Sequence, residues 1–240
     1  MLARTVRLYR NSFSGLSKEV WLLSLVTLIN RSGSMVLPFL TIYLTQRLGF
    51  TLGQAGIVMS AFGAGSIVGT YIGGQLTDRI GYYPIMFWTL LLGGASFFVL
   101  MQMESLLEFS LAIFCLTVVL DAFRPAAFAS ISAYSRPENR TRSLSLLRLS
   151  INLGVAIGPA AGGLLAASMG YKWLFVIDGV TCMVAAILFR LLLPDRREEQ
   201  PTTTSDGMPI DFSASVYSDK VYLVFLACML LTCIAFMQIM

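Results

Sequence analysis

Four charged side chains stand inside stretches of this 240-residue sequence that are otherwise apolar: Arg31, Asp121, Arg124 and Arg148. An ionised group at the depth of a hydrocarbon layer costs roughly 2.5 to 3.5 kcal/mol on insertion scales, so such residues are seldom incidental. Asp121 and Arg124 are three residues apart and share a helical face, which lets them pair. A carboxylate and a guanidinium that can be drawn apart offer a proton site, because the carboxylate exchanges one positive partner for another. A permanent structural ion pair is the alternative reading of the same two residues. Arg148 shares a face with Asn152, although its long stem also lets it reach toward the membrane surface. Asn30 lies beside Arg31. The chain contains no histidine, so proton exchange falls to carboxylates. No nucleophile stands at usable spacing from a base, which argues against an enzyme.

These groups need elements that carry them into a bilayer, and composition supplies them. With 56% apolar and 12% charged residues, too little polar surface remains to coat a soluble globule. A spanning helix needs about 20 apolar residues. Six such runs fall at 20–45, 54–76, 84–102, 106–134, 143–168 and 171–193, and a seventh begins near Val221. If the N-terminus is cytoplasmic, Arg4, Arg7, Arg10, Lys18, Arg79, Arg136, Arg140, Arg142, Arg190, Arg196, Arg197 and Lys220 fall inside, against Arg47 and Lys172 outside. Twelve against two fixes the expected orientation. The net charge of +4 is thereby a matter of topology, and no nucleic-acid partner is implied. Cys115, Cys182, Cys228 and Cys233 lie in apolar stretches without metal-site or disulfide spacing.

The expected organisation is a cytoplasmic lead-in over 1–19, a six-span bundle over 20–193, a polar cytoplasmic linker over 194–219 and a seventh span over 220–240. The chain reaches Met240 inside that last apolar run, so a truncated chain lacking a second half is expected. A seven-helix protein ending at the outer surface is the alternative.

The bundle is built from a duplicated unit. Residues 65–82 recur 89 positions later as 154–171, with Gly65/Gly154, Gly69/Gly158, Gly73/Gly162, Gly74/Gly163, Leu76/Leu165, Gly81/Gly170 and Tyr82/Tyr171 identical. The repeats run over about 20–105 and 106–193. Three spans per unit turn the second copy upside down. Thr77, Asp78 and Arg79 are therefore expected in a cytoplasmic turn, and Ala166, Ala167 and Ser168 in an outer one.

The segment Gly74-Gln-Leu-Thr-Asp78-Arg79-Ile-Gly81 resembles the G-x-L-x-D-R-x-G signature between helices 2 and 3 of the major facilitator superfamily. Gly74, Asp78, Arg79 and Gly81 would act as a conformational latch. The family's usual basic pair is replaced here by Tyr82, Tyr83 and Pro84. Gly154-Val-Ala-Ile-Gly158-Pro159-Ala-Ala-Gly162-Gly163 is similar to the fifth-helix motif of the proton-coupled drug antiporter branch. Pro159 removes one helix hydrogen bond and the glycines admit a neighbouring backbone, which suits a hinge, a seal or plain helix packing. Leu120-Asp121-Ala-Phe-Arg124-Pro125 matches the start of that branch's fourth-helix motif but not its later glutamine and glycine. Arg124-Pro125, Asn30-Arg31, Tyr43-Leu44-Thr45 and Leu48-Gly49 also resemble proton-coupled peptide symporters, with Thr27 and Asn30 in place of the characteristic glutamates.

The resemblance implies an all-α integral membrane fold: a six-helix bundle of two inverted three-helix repeats, followed by the first helix of a second half. It implies a transporter working by alternating access, read here as proton-coupled efflux by antiport. A nutrient or peptide symporter and a seven-helix scaffold or receptor remain as alternatives. Asp121 and Arg124 would couple protons, and Arg31, Asn30, Arg124, Arg148 and Asn152 would line the substrate cavity. Three arginines against one carboxylate favour an anionic or zwitterionic solute. The proton gradient would be the energy source, with no cofactor or metal. The implied partners are the bilayer, a small-molecule substrate and the rest of the same chain, monomeric when complete, in the plasma membrane. Asp178, about two turns into the sixth span, is expected near the outer surface without a role.

Overall fold

Short caps decide where the helices begin. In the computed structural model, which describes residues 15–196 and 220–239, Ser17 opens helix α1 (Lys18–Ser32) by accepting the Val20 N–H at 3.3 Å. Helix α2 (Val36–Gln46) starts without a cap of its own. Thr51 and Gln54 form a reciprocal capping box at the head of α3 (Leu52–Ile80). Helix α4 (Tyr82–Leu100) follows at once, and Ser105 caps α5 (Leu106–Asp121) through the Glu108 N–H. Then come α6 (Phe123–Tyr134), a 3₁₀ turn (Pro137–Asn139), α7 (Arg140–Met169) and α8 (Lys172–Leu192). The lead-in with Arg4, Arg7 and Arg10, and the linker with Arg197, lie outside the described residues. The chain divides into two units, 1–198 and 199–240, and the second contributes one apolar helix, α9 (Lys220–Ile239).

Among the described residues six spans are long and apolar enough to cross a membrane: α1 with α2, α3, α4, α5 with α6, the 3₁₀ turn with α7, and α8. Their order is the one hydropathy predicts. The first and fourth, however, are each interrupted near the middle, at Gly33–Met35 and at Ala122. Adding 89 to the two pieces of the first span gives 107–121 and 125–135, against 106–121 and 123–134 observed. The duplication is therefore present in the backbone as well as in the glycines.

Gly81 and Gly170 carry the same backbone conformation, φ 90°, ψ 163° and φ 92°, ψ 163°, with N–H groups donating to the Thr77 and Ala166 carbonyls at 3.0 and 3.1 Å. This corrects the expected turns. Thr77, Asp78 and Arg79 form the last turn of α3, and Ala166 to Ser168 that of α7, because nothing before the glycine stops either helix.

The glycine ladders pack each second span of a repeat on the first span of the other. Along α3, Gly65, Gly69 and Gly73 meet the backbone of Phe114, Val118 and Ala122 on the fourth span. Along α7, Gly154, Gly158 and Gly162 meet Arg31, Ser34 and Met35 on the first. Two apolar clusters fill the bundle, one around Val20, Tyr83, Tyr134 and Phe189, the other around Leu40, Tyr43, Phe109 and Phe175. Both interruptions lie between them.

At the end of the bundle where α1 begins, three tyrosines hold the exit of α8. Tyr83 donates to the Leu193 carbonyl at 3.1 Å, Tyr134 to that of Pro194 at 2.8 Å and Tyr82 to that of Arg196 at 2.8 Å. Arg196 also pairs with Glu19 on α1.

Candidate functional site

A helix that restarts in mid-membrane exposes the N–H groups of its first turn, and hydrocarbon supplies no acceptor. For α2 the acceptor comes from α8. Both carboxylate oxygens of Asp178 take the Met35 N–H, at 3.0 and 3.1 Å, and Oδ2 also takes the Val36 N–H at 2.9 Å. Asp178 is only 2% exposed. The expectation of an outer-surface residue without a role is thus overturned: distance along a span does not reveal which neighbour it faces. The signal available in the sequence was the pair Gly33-Ser34 in mid-span, followed by Met35, which cannot cap a helix. Gly33 itself lies so close to Thr181 of α8 that any β-carbon there would overlap the hydroxyl.

Arg31 occupies the last turn of α1, directly before this interruption. Its Nε is buried and has no hydrogen-bond partner. Among the described residues Arg31 forms no ion pair with Asp121 or Arg124, which pair with each other. Asp121 ends α5, is buried, and holds Arg124 Nε at 3.0 Å, while the Arg124 side chain remains 56% exposed. The structure therefore pairs Asp121 with Arg124 at the interruption of the fourth span and sets Arg31 at the matching interruption of the first. Chemically, the first span offers a buried guanidinium nitrogen without an acceptor, and the fourth an ion pair whose cationic member is exposed.

Other predicted residues fall elsewhere. Asn30 is buried and donates to Cys182 Sγ on α8 at 3.1 Å, so it braces the first span. Arg148 and Asn152 share an exposed face of α7 and make no hydrogen bond or ion pair with the arginine–aspartate group. Asp78 and Arg79 are exposed at the end of α3, and Gly74 has open space around it. Gly154, Gly158 and Gly162 bracket the first interruption, Gly163 touches Phe39, and Pro159 is half-buried within a helix that continues through it. Among the described residues no cluster of histidine, cysteine or carboxylate side chains has the makings of a metal site.

A family model described as the Major Facilitator Superfamily matches residues 20–240. The 4-hydroxybenzoate transporter PcaK of Acinetobacter baylyi is 26% identical over 75% of this chain and 40% of its own length. The multidrug resistance protein MdtH of Aeromonas hydrophila is 26% identical over 84% of this chain and 50% of its own. The chain thus spans half or less of the length of these relatives. Among solved structures, a peptide transporter POT in complex with sulfate superposes with a TM-score of 0.67 at 20% identity, covering 95% of this chain and 47% of that one.

Proposed function

Because the chain belongs to the Major Facilitator Superfamily, we propose that it forms the N-terminal half, with one further helix, of a secondary transporter. The transporter moves a small organic solute by alternating access, coupled to protons, and is no enzyme. The basic end of the bundle, with Lys18, Arg79, Arg136, Arg190 and Arg196, faces the cytoplasm of a plasma membrane, and the complete protein works as a monomer. The observation that supports this reading is the Asp121–Arg124 pair at the interruption of the fourth span, its arginine exposed, with Arg31 at the matching interruption of the first; a solute and a proton would compete for these charges.

Efflux by antiport is supported by the antiporter-like motif of α7 and by similarity to a multidrug resistance protein. Exchange requires the solute to displace the proton from Asp121, as a cationic group would. A second reading is favoured by the unpartnered Arg31. A solute carboxylate seated on Arg31 that also draws Arg124 away leaves Asp121 to take a proton, so anion and proton travel together. The name of the 4-hydroxybenzoate relative supports an aromatic carboxylate in that role.

The test is a sided assay in proteoliposomes holding the transporter that contains this chain, with an imposed pH gradient. Antiport predicts that lipophilic cations move against the proton flow. Symport predicts that 4-hydroxybenzoate accumulates with it. In either case Asp121→Asn is expected to abolish gradient-driven movement while solute binding persists. Undiminished coupling in that variant refutes the assignment.

A further inference from the structure

A cavity of about 330 Å³ opens at the end of the bundle where α1 begins and α6 stops, lined in part by Ser17, Lys18, Ser135, Arg136, Asn139 and Ser143. Two of these are spent within the protein. Ser17 donates to the Tyr134 carbonyl at 2.6 Å, and the Asn139 amide donates to Gly15 at 3.1 Å. Two others have no partner: the hydroxyl oxygens of Ser135 and Ser143 are both shielded from solvent and unbonded. Ser143 is 1% exposed. Its neighbour Ser145 shows the ordinary solution, a bond to the carbonyl four residues back at 2.9 Å. Buried hydroxyls are rarely left unmet, and a pair of them lining one cavity calls for an acceptor from outside the chain.

The charges around the cavity name that acceptor. Lys18 and Arg136 are exposed at its rim, and neither forms an ion pair among the described residues. Among the described residues no carboxylate lines it. Glu138 is next but one to Arg136 and exposed, and Glu19 is already engaged by Arg196. Two hydroxyl donors and two cations suit a tetrahedral oxyanion with several acceptor oxygens, not a metal ion or an apolar guest. Lys18 is the first residue of the first span and Arg136 follows the fourth by two residues, which sets the cavity at the membrane boundary, where phospholipid phosphates lie.

We propose that this cavity binds a phosphate group, supplied by the headgroup of an anionic phospholipid, with Lys18 and Arg136 balancing its charge and the Ser135 and Ser143 hydroxyls turning out of their shielded positions to donate to its oxygens. The lipid ties the start of α1 to the α6–α7 connection. The assignment is independent of what the transporter carries.

The experiment uses the purified transporter that contains this chain, in neutral detergent, comparing phosphatidylglycerol, phosphatidylcholine and inorganic phosphate by lipid retention in native mass spectrometry and by melting temperature. Phosphatidylglycerol is expected to be retained roughly tenfold better than phosphatidylcholine, the scale of one charge-assisted contact, and to raise the melting temperature. Arg136→Gln and Ser143→Ala are each expected to remove most of that preference. In lipid-free detergent Ser143→Ala should melt at or above wild type, since it deletes an unmet hydroxyl. Stabilisation by inorganic phosphate equal to that by phosphatidylglycerol overturns the lipid source. Equal retention of both lipids, or a Ser143→Ala chain that melts lower without lipid, overturns the site.

Discussion

The interruption of the first span and that of the fourth occupy matching positions in the two repeats, yet they are closed by different means. In the first, the carboxylate comes from another span, and Asp178 spends both oxygens on backbone N–H groups. In the fourth, the carboxylate is local, and Asp121 spends its oxygen on a side chain three residues away. The counterpart of Asp178 in the first repeat is Thr89, whose hydroxyl returns to the Ile85 and Met86 carbonyls of its own helix, at 2.7 and 3.2 Å. The counterparts of Asp121 and Arg124 are Ser32 and Met35. One backbone plan thus carries two unlike charge arrangements. A carboxylate clamped to backbone fixes the shape of a span, whereas one clamped to an exposed arginine is able to change partners.

The glycine ladders sharpen the contrast. A β-carbon at Gly69 would lie within 3 Å of the Val118 backbone, which has no room to yield, while one at Gly158 would lie 3.2 Å from the Ser34 carbonyl oxygen. Gly69→Ala is therefore expected to cost about 3 kcal/mol or more, or to prevent folding, and Gly158→Ala about 1 kcal/mol, read from melting in detergent. Equal losses would break the distinction between the tight contact at Gly69 and the looser one at Gly158.

Next in size is the Asp178 clamp. Asp178→Ala strands two buried N–H groups and is expected to cost about 2 to 4 kcal/mol, with faster hydrogen exchange at Met35 and Val36. Asp178→Asn keeps one acceptor oxygen and should lose roughly half as much. Asp121→Asn touches no backbone donor and should leave exchange at these amides unchanged. If it accelerates them equally, the two carboxylates do the same job.

The smallest effects test what the repeats share. Gly81→Ala and Gly170→Ala force an L-residue into the same positive-φ conformation, so each should cost about 1 to 2 kcal/mol and the two should agree closely. Gly74→Ala, in helix with open space beside it, should be neutral or slightly stabilising by thermal melting.

The spans, their order and the repeat were legible because each is written over 20 residues or more, where hydropathy and glycine spacing average out local noise. Asp121 and Arg124 were legible because i,i+3 neighbours on a helix must meet. Asp178 was not, since its partner lies 142 residues away and is bare backbone. The bond of Asn30 was not legible for a similar reason: its partner, Cys182, lies 152 residues away on another span. The Asp78–Arg79 pair looked like a turn because the motif ends in glycine, but only the glycine leaves the helix.

The three tyrosine ties at the exit of α8 have a further consequence. A tie made by exposed charges weakens as salt is added, since mobile ions screen it over a Debye length of about 8 to 10 Å at physiological strength. Hydroxyl-to-carbonyl bonds are uncharged, so raising the electrolyte concentration loosens Arg196 from Glu19 yet leaves Leu193 and Pro194 anchored. The direction in which the chain leaves the sixth span is therefore set by neutral chemistry, indifferent to the ionic composition of the surrounding fluid.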